Sequence, residues 1–246
     1  MSSARVVGVA AVLALSACSG DAGGAQEQTL TVLAAASLTD VLTLVAEDLE
    51  ADHPGATVDL SFASSSTIVQ QVSEGAPADV IALAGPGPLE QLPAELRLGD
   101  PVTFTTNSLE LAVPPDNPAG ITGVEGLTDE GIRLVLCQPQ VPCGEATTAL
   151  LGRLGIEPTV ASEERDARAT LTKVELGEAD VGIVYRTDVA AAGERVLGIE
   201  IPDAVNVTTD YPILAVSDHE LAAVFVEEVL SERGQRHLTD AGFVAP

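Results

Sequence analysis

Short apolar runs alternate with helical stripes along most of the chain. Leu30–Ala34 reads as a strand, and Leu38, Val41, Leu42, Val45 and Leu49 follow at three- and four-residue spacing. That spacing predicts a helix with one buried face. Ser37-Leu38-Thr39-Asp40 fits a helix-capping start, with Ser37 at the strand-to-helix turn. His53-Pro54-Gly55 breaks the helix, and Thr57–Phe62 alternates apolar with polar like a strand. Ala63-Ser64-Ser65-Ser66-Thr67 then leads into Ile68, Val69 and Val72, a second helix closed by Glu74-Gly75-Ala76-Pro77. Asp79–Ala84, Leu109–Val113, Arg133–Cys137, Val181–Tyr185 and Tyr211–Val216 read as further strands. Residues 85–101 carry Pro86, Pro88, Pro93 and Pro101 and read as loop with a short helix, and 114–118 is a Pro-rich turn. Helices are expected from Gly144 through Leu154, over Ala167–Leu176, after a Ser217 cap, and in a last short segment ending at Gly242. Strands alternating with helices predict an α/β protein with mainly parallel sheets. Ligands in such sheets bind beyond the carboxyl ends of strands.

The first residues follow a different pattern. Arg5 precedes an apolar run from Val6 to Ala14, too short to cross a bilayer but suited to a signal peptide. Leu15-Ser16-Ala17-Cys18 resembles the bacterial lipobox, in which the cysteine is lipidated and becomes the new N-terminus. Segment 1–17 is therefore expected to be a lipoprotein signal peptide and 18–28 a flexible tether. The alternative is an ordinary signal peptide cut nearby, with Cys18 incidental. Both place the protein outside the cytoplasm, either lipid-anchored on the outer face of the membrane or periplasmic.

Composition narrows the function. The 246 residues carry 37 Asp+Glu against 11 Lys+Arg, a formal charge of −26, and the single lysine is Lys173. Nucleic acid needs basic side chains to displace counterions from phosphate, so it is excluded as a partner. Anionic lipid held by basic patches is excluded likewise, leaving a lipid anchor as the sole tie to membrane. With 46% hydrophobic residues the chain is not disordered. Cys137 and Cys143 stand in a C-x5-C spacing across two prolines, and an oxidising compartment favours a local disulfide, with free thiols as the alternative. A metal site would want more ligands, but His53, His219 and His237 are scattered. No G-x-S-x-G elbow, P-loop, dinucleotide loop or H-E-x-x-H occurs. Neighbouring carboxylates such as Glu163-Glu164 read as solvated faces. With no tryptophan and 2% aromatics, a stacking sugar site is poorly supported. These absences favour a binding protein over an enzyme, with no cofactor.

Two segments remain: Ala34-Ala35-Ala36-Ser37-Leu38 and Ser61-Phe62-Ala63-Ser64-Ser65-Ser66-Thr67. Each places serine at a helix start after a strand. Unpaired N–H groups, the positive helix end and a hydroxyl there make a charge-neutral anion cradle. Either serine alone would more simply be a cap; together, after successive strands, they point to a site. Tyr185 could likewise end a core strand with a structural hydroxyl.

These segments, with Gly75-Ala76-Pro77-Ala78-Asp79-Val80, Asn107-Ser108-Leu109, Val141-Pro142-Cys143-Gly144, Gly182-Ile183-Val184-Tyr185 and Tyr211-Pro212-Ile213, resemble the molybdate-binding proteins of molybdate ABC importers over about 29–246. The resemblance implies a type II periplasmic-binding-protein fold, two α/β lobes with a ligand cleft between them. Lobe I would comprise 29–107 plus 211–246 and lobe II 108–210, with crossovers near 106–110 and 209–212. It also implies an oxyanion, molybdate or tungstate, held by Ser37, Ser65, backbone N–H groups of Cys143 and Ala167, and the Tyr185 hydroxyl. Cys143 stands where alanine is usual and Ala167 where valine is common, but both would act through the backbone. A monomer working with an ABC permease and its ATPase subunits follows. The alternatives are a binding protein for sulfate, phosphonate or an organic anion, and, from another class, a surface enzyme or adhesion module on this fold.

Overall fold

The computed structural model describes residues 28–246; the signal segment and Cys18 lie outside the described residues. Nine strands form one sheet: β1 (Gln28–Ala35), β2 (Ala56–Ala63), β3 (Val80–Ala82), β4 (Val102–Val113), β5 (Leu134–Cys137), β6 (Val160–Glu164), β7 (Val181–Tyr185), β8 (Leu197–Glu200) and β9 (Thr208–Ala215). Their order is β2-β1-β3-β9-β4-β7-β5-β6, with β8 also paired to β4. The helices are α1 (Thr39–Asp52), α2 (Ser65–Ser73), α3 (Pro86–Gln91), α4 (Pro142–Leu154), α5 (Ala167–Glu175), α6 (Arg186–Ala192), α7 (Glu220–Leu230) and α8 (Glu232–Asp240). Among the described residues no helix is long and apolar enough to cross a membrane.

Each half of the sheet is covered on both faces. In the first half Leu30, Val32 and Ala34 of β1 face α1, α7 and α8, packing on Leu42, Val45, Phe225 and Leu238. Leu33, one residue out of phase, turns to the other face with Ile68 and Val72 of α2 and Leu89 of α3. This is the period-2 alternation of a strand buried on both sides. The second half repeats the scheme. Leu134, Leu136 and Ile183 pack against Ala146 and Leu150 of α4, while Val135 and Val184 pack against Leu171 and Val174 of α5. Two cores divided in this way make two α/β lobes.

The sheets are less parallel than the alternation predicted. β1 pairs parallel with β2 and β3, and β5 pairs parallel with β6 and β7. The strands joining the halves, β4 and β9, make antiparallel pairs with each other and with their neighbours. The reason is topological: the chain must leave the first lobe on one strand and return on another. Strand β6, helix α6 and strand β8 were not expected. β6 alternates Val160, Ser162 and Glu164 with exposed positions, a signal diluted by its charges. β4 begins seven residues earlier than its apolar run, because Thr103–Ser108 pair with β9. Pro142, rather than Gly144, opens α4, where its missing N–H costs nothing. His219, rather than Ser217, caps α7, through its ring nitrogen to Leu221 N.

β4 changes partner in mid-strand. Ser108 is paired with Thr208 of β9, and Leu109 with Tyr185 of β7. Asn206 closes the junction: it donates to Leu109 O at 2.9 Å and accepts from Leu109 N at 3.2 Å and Val207 N at 2.8 Å. Its amide thus completes strand pairing where β9 has not yet begun. Asn206→Ala leaves both Leu109 backbone groups without that partner and should cost about 1–3 kcal/mol. Chemical denaturation should show this as a lower midpoint with an unchanged slope; an unchanged midpoint would remove the role.

Candidate functional site

All five residues singled out by the serine turns and the resemblance meet at one place. Ser37 lies in a single 3₁₀ turn, Ala36–Leu38, directly after β1, and Ser65 is the first residue of α2, after β2. Cys143 is the second residue of α4, after β5, and Ala167 the first of α5, after β6. Tyr185 ends β7. Each follows the carboxyl end of a strand, where α/β sheets place ligands. Together they line a cavity of about 20 Å³, with Ala35, Ala36, Ala63, Ala84, Val141, Pro142 and Asp166 among the other walls. That room suits one compact solute. The alanines keep backbone close to the space, and both lobes contribute walls.

The serines do not cap their helices. Leu38 precedes α1, which has no side-chain cap. Ser37 Oγ instead stands 2.9 Å from Tyr211 Oη. Ser64 caps α2 by accepting from Thr67 N, whereas Ser65 Oγ accepts from Ala84 N at 2.8 Å. The capping expectation for Ser37 is thereby corrected, and both hydroxyls are freed from helix duty. Tyr185 Oη is buried and has no hydrogen-bond partner. The hydroxyls of Thr209 and Tyr211 stand near it without meeting hydrogen-bonding geometry. Burial pushes the Tyr185 phenol well above its usual range, only partly opposed by those neighbours.

The backbone donors come from helix starts. The first N–H groups of a helix have no intrahelical acceptor, and Cys143 and Ala167 occupy such positions in α4 and α5. Two features pin the first. Cys137 and Cys143 are joined in a disulfide. A Cβ on Gly144 would stand 1.9 Å from Gln138 O, so only glycine allows the start of α4 to lie against the loop that precedes it. At the second, the Asp166 carboxylate caps α5, accepting from Ala169 N at 2.7 Å.

Among the described residues no lysine or arginine lines the cavity. Arg168, next to Ala167, is engaged elsewhere: its guanidinium pairs with Asp40 of α1, in the first lobe, and lies 3.0 Å from Asp188 of α6, in the second. Asp188 is fully buried and also accepts from Tyr185 N at 3.2 Å. On the opposite rim Ser66 Oγ donates to Gln140 O at 2.8 Å, a second contact between lobes. Sequence reasoning missed Tyr211, Ala84, Arg168 and Asp188 as supports. Only Tyr211 carried a signal, in the Tyr211-Pro212-Ile213 segment. Among the described residues no cluster of His, Cys, Asp and Glu could hold a metal ion.

Residues 30–244 match the family model described as bacterial extracellular solute-binding protein. The chain is 36% identical over 251 residues to the molybdate-binding protein ModA of Mycobacterium tuberculosis, covering all of this chain and 96% of that relative. Among solved structures, the periplasmic molybdate-binding protein of Azotobacter vinelandii superposes with a TM-score of 0.74 at 21% identity, covering 88% of this chain and 99% of that one. The sulfate-binding protein SubI of Mycobacterium tuberculosis gives 0.76 at 17% identity, over 87% and 86% of the two chains. The fold is thus common to carriers named for different oxyanions.

Asp188 should mark the pH dependence of stability. Burial raises its carboxyl from 3.8 to about 6, against the opposing pull of Arg168 and the Tyr185 N–H. The folded state therefore holds this proton more tightly than the unfolded state. The stability so conferred is complete below about pH 4 and lost as pH rises through about 6. Relative to Asp188→Asn, the wild type should lose about 2–3 kcal/mol of unfolding free energy between pH 4 and 7. Parallel stability curves for the two proteins would contradict this.

Proposed function

The chain belongs to the bacterial extracellular solute-binding proteins, the group that includes the molybdate-binding proteins of ABC importers, and from that premise we propose that it captures molybdate or tungstate between its two lobes and delivers the ion to a membrane permease driven by ATPase subunits. In this reading Ser37 and Ser65 donate from the first lobe. The Cys143 and Ala167 N–H groups and the Tyr185 hydroxyl donate from the second. The observation that carries the reading is the buried Tyr185 hydroxyl, without a partner at the wall of a small cavity that has no cation. A buried polar group left unpaired costs about 1–3 kcal/mol, and a tetrahedral dianion would remove that cost while accepting from every other donor.

Binding of this kind breaks no bond and needs no cofactor. The ion touches both lobes, so it stabilises whichever arrangement brings them together. Release follows reopening. We take lobe I as 29–107 plus 211–246 and lobe II as 108–210, with the Cys137–Cys143 bridge holding the Cys143 amide in place. The protein acts as a monomer, exported and tied to the membrane by lipid on Cys18. Phosphate keeps a proton at neutral pH, and a cradle of donors leaves that proton without an acceptor.

Calorimetry with molybdate, tungstate, sulfate and phosphate tests the assignment. Molybdate and tungstate should bind one to one. Heat with sulfate and none with molybdate would transfer the protein to the sulfate carriers. Ser37→Ala and Ser65→Ala should each weaken molybdate about ten- to hundredfold, the worth of a hydrogen bond to a charged group, and leave the fold intact. Wild-type affinity in both would clear them of the role.

A further inference from the structure

We propose that Tyr211 is a positioning residue of the anion site: its hydroxyl donates to Ser37 Oγ and thereby turns the single serine proton into the cleft. The inference rests on the anion-binding reading above and adds to it a residue outside the ligand shell. Tyr211 lies in β9, fully buried, and is not among the cavity walls.

The direction of the proton follows from the groups behind it. Asn107 Oδ1 accepts from Ser108 N at 3.0 Å, which fixes the orientation of the amide. Its Nδ2 must then face Thr187 Oγ1 at 2.8 Å and Tyr211 Oη at 3.5 Å. An N–H directed at the phenolic oxygen takes one of its lone pairs, and in the proposed arrangement the phenolic proton goes to Ser37 Oγ, 2.9 Å away. Burial holds the Tyr211 phenol far above its usual range, so the proton is always present to be given. A hydroxyl carries one proton. Having accepted from Tyr211, Ser37 can offer its own only to the cavity it lines.

Ser65 shows the same logic without ambiguity. Its back is met by the Ala84 N–H, which can only donate. Both serines are thus approached from behind by a donor and face the cavity as donors. Were Ser37 reversed, donating to Tyr211, it would present a lone pair to a dianion.

The test is a double-mutant cycle read by molybdate calorimetry on the full mature chain. Tyr211→Phe keeps the ring in its edge-on packing against Phe104, Tyr185 and Phe243. It should weaken molybdate about tenfold. In a Ser37→Ala background the same change should cost less than twofold, because the group through which it acts is gone. In a Ser65→Ala background the tenfold loss should persist. A tenfold loss in both backgrounds would make Tyr211 merely structural, and no loss in the wild-type background would remove it altogether. If wild type gives no heat with molybdate, the functional reading fails and this inference with it, an outcome distinct from additive losses in a protein that binds.

Discussion

A helix start buried against another lobe leaves backbone N–H groups with nothing to bond, and the rest of this structure is arranged around that constraint. α4 and α5 both begin at the carboxyl ends of strands in the second lobe. Cys143 and Ala167, at those starts, line a space that the serine turns after β1 and β2 also line. Folding alone cannot satisfy such donors. The neighbourhood holds them still instead. The disulfide and the absent side chain at Gly144 fix one helix start, and Asp166 secures the other by bonding back to its own helix. Donors that are immobile before a ligand arrives cost little to organise when it does.

In the proposed reading, the same constraint lets a chain of formal charge −26 hold an anion. Surface charge governs long-range encounter and is screened within about 10 Å at ordinary salt. The cavity is governed by dipoles a bond length away. Arg168, beside it, is bound by two carboxylates, one from each lobe. It therefore ties the lobes together and adds little positive field. Acidity weighs against partners that bind through surface charge, such as nucleic acid. It does not exclude a small ion enclosed by N–H and O–H groups.

Local pattern carried much of the fold. The stripe Leu38, Val41, Leu42, Val45, Leu49 lies on the buried face of α1 and its turn, and the alternation of residues 57–62 is the edge strand β2. What local pattern could not carry was the pairing of distant segments. β4 and β9 extend beyond their apolar runs because each is completed by the other, and the polar residues Thr105, Asn107 and Thr209 are buried there. The serine turns drew attention to the site, but their hydroxyl partners, Tyr211 and the Ala84 amide, lie 174 and 19 residues away. Capping was the natural local reading of Ser37. It failed because a long-range hydroxyl contact replaced a short-range one.

The central claim is that five neutral donors from two lobes share one tetrahedral ion. A crystal of the protein grown with molybdate, with anomalous differences collected at the molybdenum edge, locates that ion directly. The account predicts one strong peak in the cavity, with its oxygens within hydrogen-bonding distance of Ser37 Oγ, Ser65 Oγ, Cys143 N, Ala167 N and Tyr185 Oη. A peak elsewhere, or one coordinated by a lysine or arginine, would contradict it.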